Sequence, residues 1–254
     1  MPYKTILVDR TKGVGTITLN RPQVLNAMNL QLVEEMKAAV DDLEGDDDIR
    51  CLILTGSGER AFSAGADIHE MRTFTPQEHE AVQQVRYQAQ WRIATCKKPI
   101  IGAVNGLCYG GGTILATSLD FLVGCERSKF RFLAAVYGQL NATWTLHNLV
   151  GWPVAKELLY TGRVVEPQEA RDLGLLNHLV PADKLMDKAR ELASLIVANY
   201  PASVQGTKSL MLQNLGRSWG EMRQAEHEAR NSSYQGLPIE EGFQEFIQRK
   251  GRGP

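Results

Sequence analysis

Two loops of this chain are almost devoid of reactive side chains, so any chemistry they do must come from backbone amides. The first runs Ala61-Phe-Ser-Ala-Gly-Ala-Asp-Ile68, and the second ends in Gly110-Gly-Gly112 directly before helix-forming residues. Small residues let a ligand or another chain approach the backbone closely, and Asp67 has the side chain of a helix cap. With Asp67 in that role, the amide of Ala66 stands free near a helix start. The glycines leave further unpaired amides at a second one. If both loops lie at the C-terminal ends of adjacent parallel strands, each can aim one amide at a single oxygen. That is an oxyanion hole, useful when negative charge develops on a carbonyl oxygen. The competing reading is a pair of tight turns.

The surrounding sequence has the elements such loops need. Tyr3 to Val8 and Val14 to Leu19 are β-rich runs joined at Lys12-Gly13, the pattern of a hairpin. Asn29 can cap a helix carrying Leu32, Val33, Met36, Ala39, Val40 and Leu43 at helical spacing. Cys51 to Leu54 and Ile100 to Val104 are continuous apolar strands, and Asp120 to Gly124 reads as another. Between them, Thr75-Pro-Gln-Glu78 has capping-box spacing and opens a long helix that stops near Pro99. Apolar strands alternating with helices predict a mostly parallel sheet covered by helices. After residue 143 the pattern turns helical, with segments at 154–160, 167–173, 183–200, 201–215, 219–234 and 239–249 and short strands near Val164 and His178. Gly56-Ser-Gly-Glu-Arg-Ala61 matches a dinucleotide-binding G-x-G-x-x-A. The required helix does not open at its glycines, and Arg72, Thr73 and Phe74 stand where the ribose-binding acid belongs, so it reads as a turn.

Composition narrows the classes. The 254 residues are 43% hydrophobic and 22% charged, which is ordinary for a soluble globular chain, and the formal net charge is -1. That balance gives no reason to expect nucleic acid or an anionic membrane as the main partner. No run approaches the roughly 20 apolar residues that span a bilayer. Cys51, Cys96, Cys108 and Cys125 show neither C-x-x-C spacing nor a cluster and read as buried, reduced thiols. With no apolar core of a signal peptide near Met1, the expected location is cytoplasmic.

In order and context, these motifs resemble the crotonase superfamily of acyl-CoA enzymes, the enoyl-CoA hydratases and isomerases. Thr16-Ile-Thr-Leu-Asn-Arg-Pro22 with Leu25-Asn-Ala27 is similar to the family's opening strand and turn. Leu52-Ile-Leu-Thr-Gly56, Ala61 to Ile68, and Lys98 to Gly106 with the three glycines resemble its core motifs. Leu159-Tyr-Thr-Gly162, Ala170 to Leu176 and Val180-Pro181 resemble its later ones. The resemblance implies an α/β fold, a crotonase-like spiral of ββα units over residues 1–195, with a helical C-terminal oligomerisation lobe over 196–254. It implies a homotrimer or dimer of trimers and a CoA thioester whose carbonyl sits between the amides of Ala66 and Gly111. CoA is then part of the substrate, and no separate cofactor or metal is called for. Ala64, Asp67, Ile68, His69, Tyr109, Ile114, Ala134, Tyr137, Asn141 and Trp144 fall on the segments that would bind that substrate.

The pattern departs where the family's hydratases carry two acid–base glutamates. One belongs three residues after the middle glycine, where this chain has Ile114; the other aligns with Ala134. Neither residue can move a proton, so ordinary hydration is not expected. Residues 139–146 hold no acid that could substitute. His147 is the titratable candidate there, with a helix histidine facing solvent or packed on a neighbour as its plainer reading. Trp144 and Tyr109 can line an acyl pocket, Tyr137 and Asn141 can orient a carboxylate or water, and His69 can touch CoA. Arg249, Lys250 and Arg252 resemble the family's terminal charges that reach a CoA phosphate, or form a solvated tail. Decarboxylation, isomerisation or carbon–carbon cleavage of an acyl-CoA fits these residues, as does an acyl-CoA-binding carrier, sensor or complex subunit without turnover.

Overall fold

Strands β1 (Ile6–Thr11) and β2 (Val14–Leu19) form an antiparallel hairpin in a computed structural model that describes residues 3–248 other than 233 and 235. Lys12 and Gly13 both take positive φ, 51° and 80°, as a two-residue hairpin turn matched to strand twist requires. Helix α1 (Leu30–Gly45) follows, its first turn closed by the Asn29 side chain accepting from the Leu32 amide at 3.1 Å. Its six apolar residues at helical spacing are all buried. The chain then repeats one unit. A long buried strand, β3 (Cys51–Gly56), leads to a short one, β4 (Ala61–Ser63), and on to helices α2 (Ile68–Met71) and α3 (Pro76–Ala94). Strands β5 (Ile100–Val104) and β6 (Leu107–Tyr109) lead to α4 (Gly111–Thr117). Strands β7 (Phe121–Cys125) and β8 (Phe130–Arg131) lead to α5 (Leu146–Val150) and α6 (Trp152–Thr161).

The long strands make a six-stranded sheet in the order β1-β2-β3-β5-β7-β10, parallel from β2 onward, where β10 is His178–Val180. The short ones make a second sheet, β4-β6-β8-β9, closed by β9 (Val164–Val165) ahead of α7 (Pro167–Asp172). This is the spiral of ββα turns that the resemblance implies. One face of the larger sheet carries α8 (Leu185–Val197), whose Leu185, Ala189 and Ala193 pack on Cys51, Ile53, Ile101, Ala103 and Val123. A larger core joins α1 and α3 to the rest, including Leu52, Leu54, Phe62, Phe130 and Phe132. All four cysteines are buried, and burial pushes the Cys108 thiol well up.

Residues 1–198 and 199–254 form two compact units. The second holds α9 (Pro201–Gln213), α10 (Trp219–Asn231, opened by a Ser218–Glu221 capping box), α11 (Ile239–Gly242) and α12 (Gln244–Gln248). The single helix expected over 239–249 is thus two short ones, broken where Phe243 leaves helical geometry at φ -114° and ψ 24°. The helix expected over 183–200 opens instead with a 3-10 turn at Ala182–Lys184 and ends at Val197.

Candidate active site

The first loop is fixed at nearly every amide. Ala64 donates to the Leu25 carbonyl at 2.9 Å, Gly65 to Ser63 Oγ at 3.1 Å, and Asp67 to the Met28 carbonyl at 3.1 Å. Met28 in turn donates to the Gly65 carbonyl at 2.7 Å. Among the described residues, Ala66 N–H alone in this stretch donates to nothing. The facing turn is held by Asn26, buried in left-handed backbone with φ 53°. Its Nδ2 donates to the Ala61 carbonyl at 2.9 Å, and its Oδ1 accepts from the Arg21 amide at 3.0 Å. Asp67 caps α2 by accepting from the Glu70 amide at 3.2 Å, and Arg21 Nη1 donates to its other oxygen at 2.8 Å. Burial opposes ionisation of Asp67, but the Arg21 hydrogen bond and the Glu70 amide outweigh it and hold the carboxyl below its usual range.

The second loop meets the first without room to spare. Gly110, at φ 50° and ψ -119°, turns β6 into α4, and Gly111 N–H makes no hydrogen bond among the described residues. A Cβ on Gly65, whose φ is 97°, would lie 2.6 Å from Gly111 N and 2.9 Å from the Tyr109 carbonyl. One on Gly112 would lie 2.4 Å from the Ser63 carbonyl. A Cβ on Gly111 would stand 3.3 Å from Ala66 N and 3.1 Å from Met28 Cε. The glycines are there because the loops touch backbone to backbone. Their contact leaves two uncommitted N–H groups as neighbours, which is what a developing oxyanion needs.

Three contacts link the far end of the site, α4 and α3. Thr117 Oγ1 and Thr145 Oγ1 lie 2.8 Å apart, Gln90 Nε2 donates to Ser118 Oγ at 3.5 Å, and the Trp91 and Trp144 rings are 6.1 Å between centroids. Ile114 packs on the core from α4, and Ala134 is buried just past β8, which pairs with β6. Asn141 Oδ1 is buried with no donor among the described residues, and Ala142 beside it takes φ 54°. The remaining expected residues are not gathered in. Ile68 and His69 are exposed on α2, and Tyr137 is 70% exposed in a 3-10 turn. His147 stacks on Trp152 at 4.3 Å, with Nδ1 3.1 Å from the Thr143 carbonyl, which accepts its hydrogen. That is the packed-neighbour reading of this histidine. Arg249, Lys250 and Arg252 lie outside the described residues. A separate cleft between β1, β2 and the start of α8, floored by Thr16, Thr18 and Thr55, contains none of these side chains.

Sequence reasoning missed four residues packed around the loops: Arg21, Met28, Trp91 and Arg86, whose Nη2 reaches the Met28 carbonyl at 3.4 Å. Arg86 had a usable signal, since it interrupts the apolar stripe of α3 formed by Val82, Ala89 and Ile93. The others are fixed by contacts that no local pattern carries.

Comparison with known proteins shows the family. The profile of the enoyl-CoA hydratase/isomerase family matches residues 9–252. A probable enoyl-CoA hydratase of Mycobacterium tuberculosis is 35% identical over 98% of this chain and 97% of its own length. A short-chain-enoyl-CoA hydratase of Clostridium acetobutylicum is 34% identical over 82% of this chain and 81% of its own. The crystal structure of an enoyl-CoA hydratase from Bacillus anthracis superposes with a TM-score of 0.92 at 31% identity, covering 97% of each chain. The chain belongs to the enoyl-CoA hydratase/isomerase family.

Proposed function

We propose that the protein binds an acyl-CoA thioester with its carbonyl oxygen on the amides of Ala66 and Gly111 and stabilises the enolate formed there. The observation that carries this reading is the pair of uncommitted amides on two loops that touch backbone to backbone, with no space for a side chain at Gly65 or Gly112. With Ile114 and Ala134 in place of proton carriers, the reaction is one that makes an enolate without the hydratase pair: decarboxylation, isomerisation or carbon–carbon cleavage. Decarboxylation suits the site best. The bond from the α-carbon to the carboxylate breaks, its electron pair becomes the enolate, CO₂ leaves, and the α-carbon then takes a proton from water. No base is needed to start it.

Hydration has the names of the relatives in its favour, and the apolar Ile114 and Ala134 equally suit an acyl-CoA carrier without turnover. Mass spectrometry of the purified protein with crotonyl-, 3-enoyl-, malonyl-type and cyclic β-keto-CoA, with calorimetry on the same samples, separates the three. Turnover of a carboxylated, β-keto or 3-enoyl thioester supports the enolate reading. Hydration of crotonyl-CoA at an ordinary enzymatic rate overturns the argument from the glutamates. Micromolar binding without product supports the carrier. The exposed apolar residues of the second unit, Met211, Leu215, Trp219, Phe243 and Phe246, support its use as an assembly surface in a trimer or dimer of trimers. The buried cysteines suit a reducing, cytoplasmic setting.

A further inference from the structure

Arg86 is a cation out of place. It lies on the inward stripe of α3, four residues after Val82 and three before Ala89, and its side chain is only 16% exposed. A guanidinium offers five N–H donors and no acceptor, and leaving them unmet in the interior is costly. Here they are barely met. Nη1 reaches Met71 Sδ at 3.4 Å, and Nη2 reaches the Met28 carbonyl at 3.4 Å and Glu70 Oε2 at 3.9 Å. Nε is buried and donates to nothing among the described residues. Glu70 commits the same oxygen to the Leu30 amide at 2.8 Å. Arg21, in the same cluster, shows what satisfaction looks like, with contacts of 2.6 and 2.8 Å to the Ala27 carbonyl and Asp67. Burial lowers the Arg86 pKa against the pull of Glu70 and Asp67, so the site holds a charge it does not fully compensate.

The position of this cation gives it a use. Met28, whose carbonyl touches Arg86, has its Cε 3.1 Å from where a Cβ on Gly111 would stand. Arg86 is therefore one methionine away from the oxyanion amides. The planar fork of a guanidinium matches a carboxylate. We propose that Arg86 receives a carboxylate at the end of the acyl group, so that the substrate class is the CoA thioester of a dicarboxylic acid. A salt bridge steadies a carboxylate in the ground state and would oppose its loss as CO₂, so the carboxylate held is one the product keeps, and the reaction of such a substrate is isomerisation or carbon–carbon cleavage rather than decarboxylation. This rests on the reading that the thioester carbonyl lies on Ala66 and Gly111.

Calorimetry of the whole chain with length-matched pairs, succinyl- against butyryl-CoA and glutaryl- against valeryl-CoA, with free CoA as reference, tests it. Charge-assisted hydrogen bonds to a carboxylate correspond to a preference of about tenfold or more for the carboxylated member. Arg86→Met is expected to bring that ratio to one or below, and Arg86→Lys, which keeps the charge without the fork, to leave an intermediate ratio. If Arg86→Met does not fold, the wild-type ratio and Arg86→Lys still decide. Equal affinities within each pair in the wild type, or an unchanged ratio in Arg86→Met, overturn the proposal and leave the oxyanion reading standing. Equal weakening of free CoA and all four thioesters in Arg86→Met also overturns it, because the anion held is then a CoA phosphate. A wild-type protein that binds no thioester of either series contradicts the oxyanion reading, and this proposal with it.

Discussion

Between Ser63 and Asp67 the backbone is bonded at every amide but one, whereas between Ala134 and His147 the bonding is loose and the strain is local. In the first region Ala64, Gly65 and Asp67 each donate to a named acceptor, and Gly65 and Ser63 lie against the backbone of the second loop at Gly111 and Gly112. In the second, Ala142 holds a left-handed φ without being glycine, Asn141 Oδ1 is buried with no donor among the described residues, and Leu140 is 92% exposed. One region is backbone geometry that cannot rearrange cheaply, which is what the proposed hold on a thioester oxygen requires. The other begins at Ala134, the position that the resemblance assigns to one acid–base glutamate, and on the proposed function side chains rather than backbone decide the reaction there. Preorganised backbone dipoles cost no reorganisation when charge develops, which is why the proposed function places the oxyanion on the rigid region.

The largest effect expected from breaking this contrast is at Gly111. Gly111→Pro removes the N–H at a first helical position, where proline fits helical backbone, and because its ring also presses on Met28 Cε and Ala66 N the variant's fold is verified by circular dichroism first. Steady-state turnover of whichever thioester the screen identifies should fall by about 10²–10³. A fall of less than tenfold would mean that the second amide is not used. Next is Asp67→Asn, which leaves Arg21 facing a neutral amide and should cost about 2–3 kcal/mol in a urea melt at pH 7. The sign with pH follows from the lowered Asp67 pKa. The wild-type contribution is complete above the unfolded aspartate value of about 3.9 and fades as pH falls through the lower folded value. The gap between the two melts should therefore close on acidification; a gap constant from pH 6 to pH 2 would assign it to something other than the charge. The smallest effect is expected at His147, which is occupied by Trp152 and the Thr143 carbonyl. His147→Ala should lose about 1 kcal/mol of stacking and leave turnover within about threefold. A hundredfold loss of turnover would make this histidine the missing acid or base.

What could be read in advance follows the same division. Asn29, Thr75 and Asp67 act within three residues of themselves, so their caps were legible, as were the hairpin turn and the apolar strands. The glycine loops were legible because close backbone approach admits almost no other residue. Of the second sheet only β9, expected near Val164, was legible as a strand, since β4, β6 and β8 are two or three residues long and too short to show alternation. Neither were Arg21 on Asp67 nor Trp91 on Trp144, partners 46 and 53 residues apart that meet only through the fold.

The central claim is that two backbone amides hold the thioester oxygen, and the carbonyl stretch of a bound acyl-CoA tests it without depending on which reaction follows. Difference infrared spectra with a ¹³C-labelled thioester carbonyl should show the band moved to lower frequency on the wild-type protein. On Gly111→Pro the displacement should be clearly smaller, one donor of the two having gone. A band at its free-solution frequency on the wild type, with binding verified in the same sample, would contradict the account.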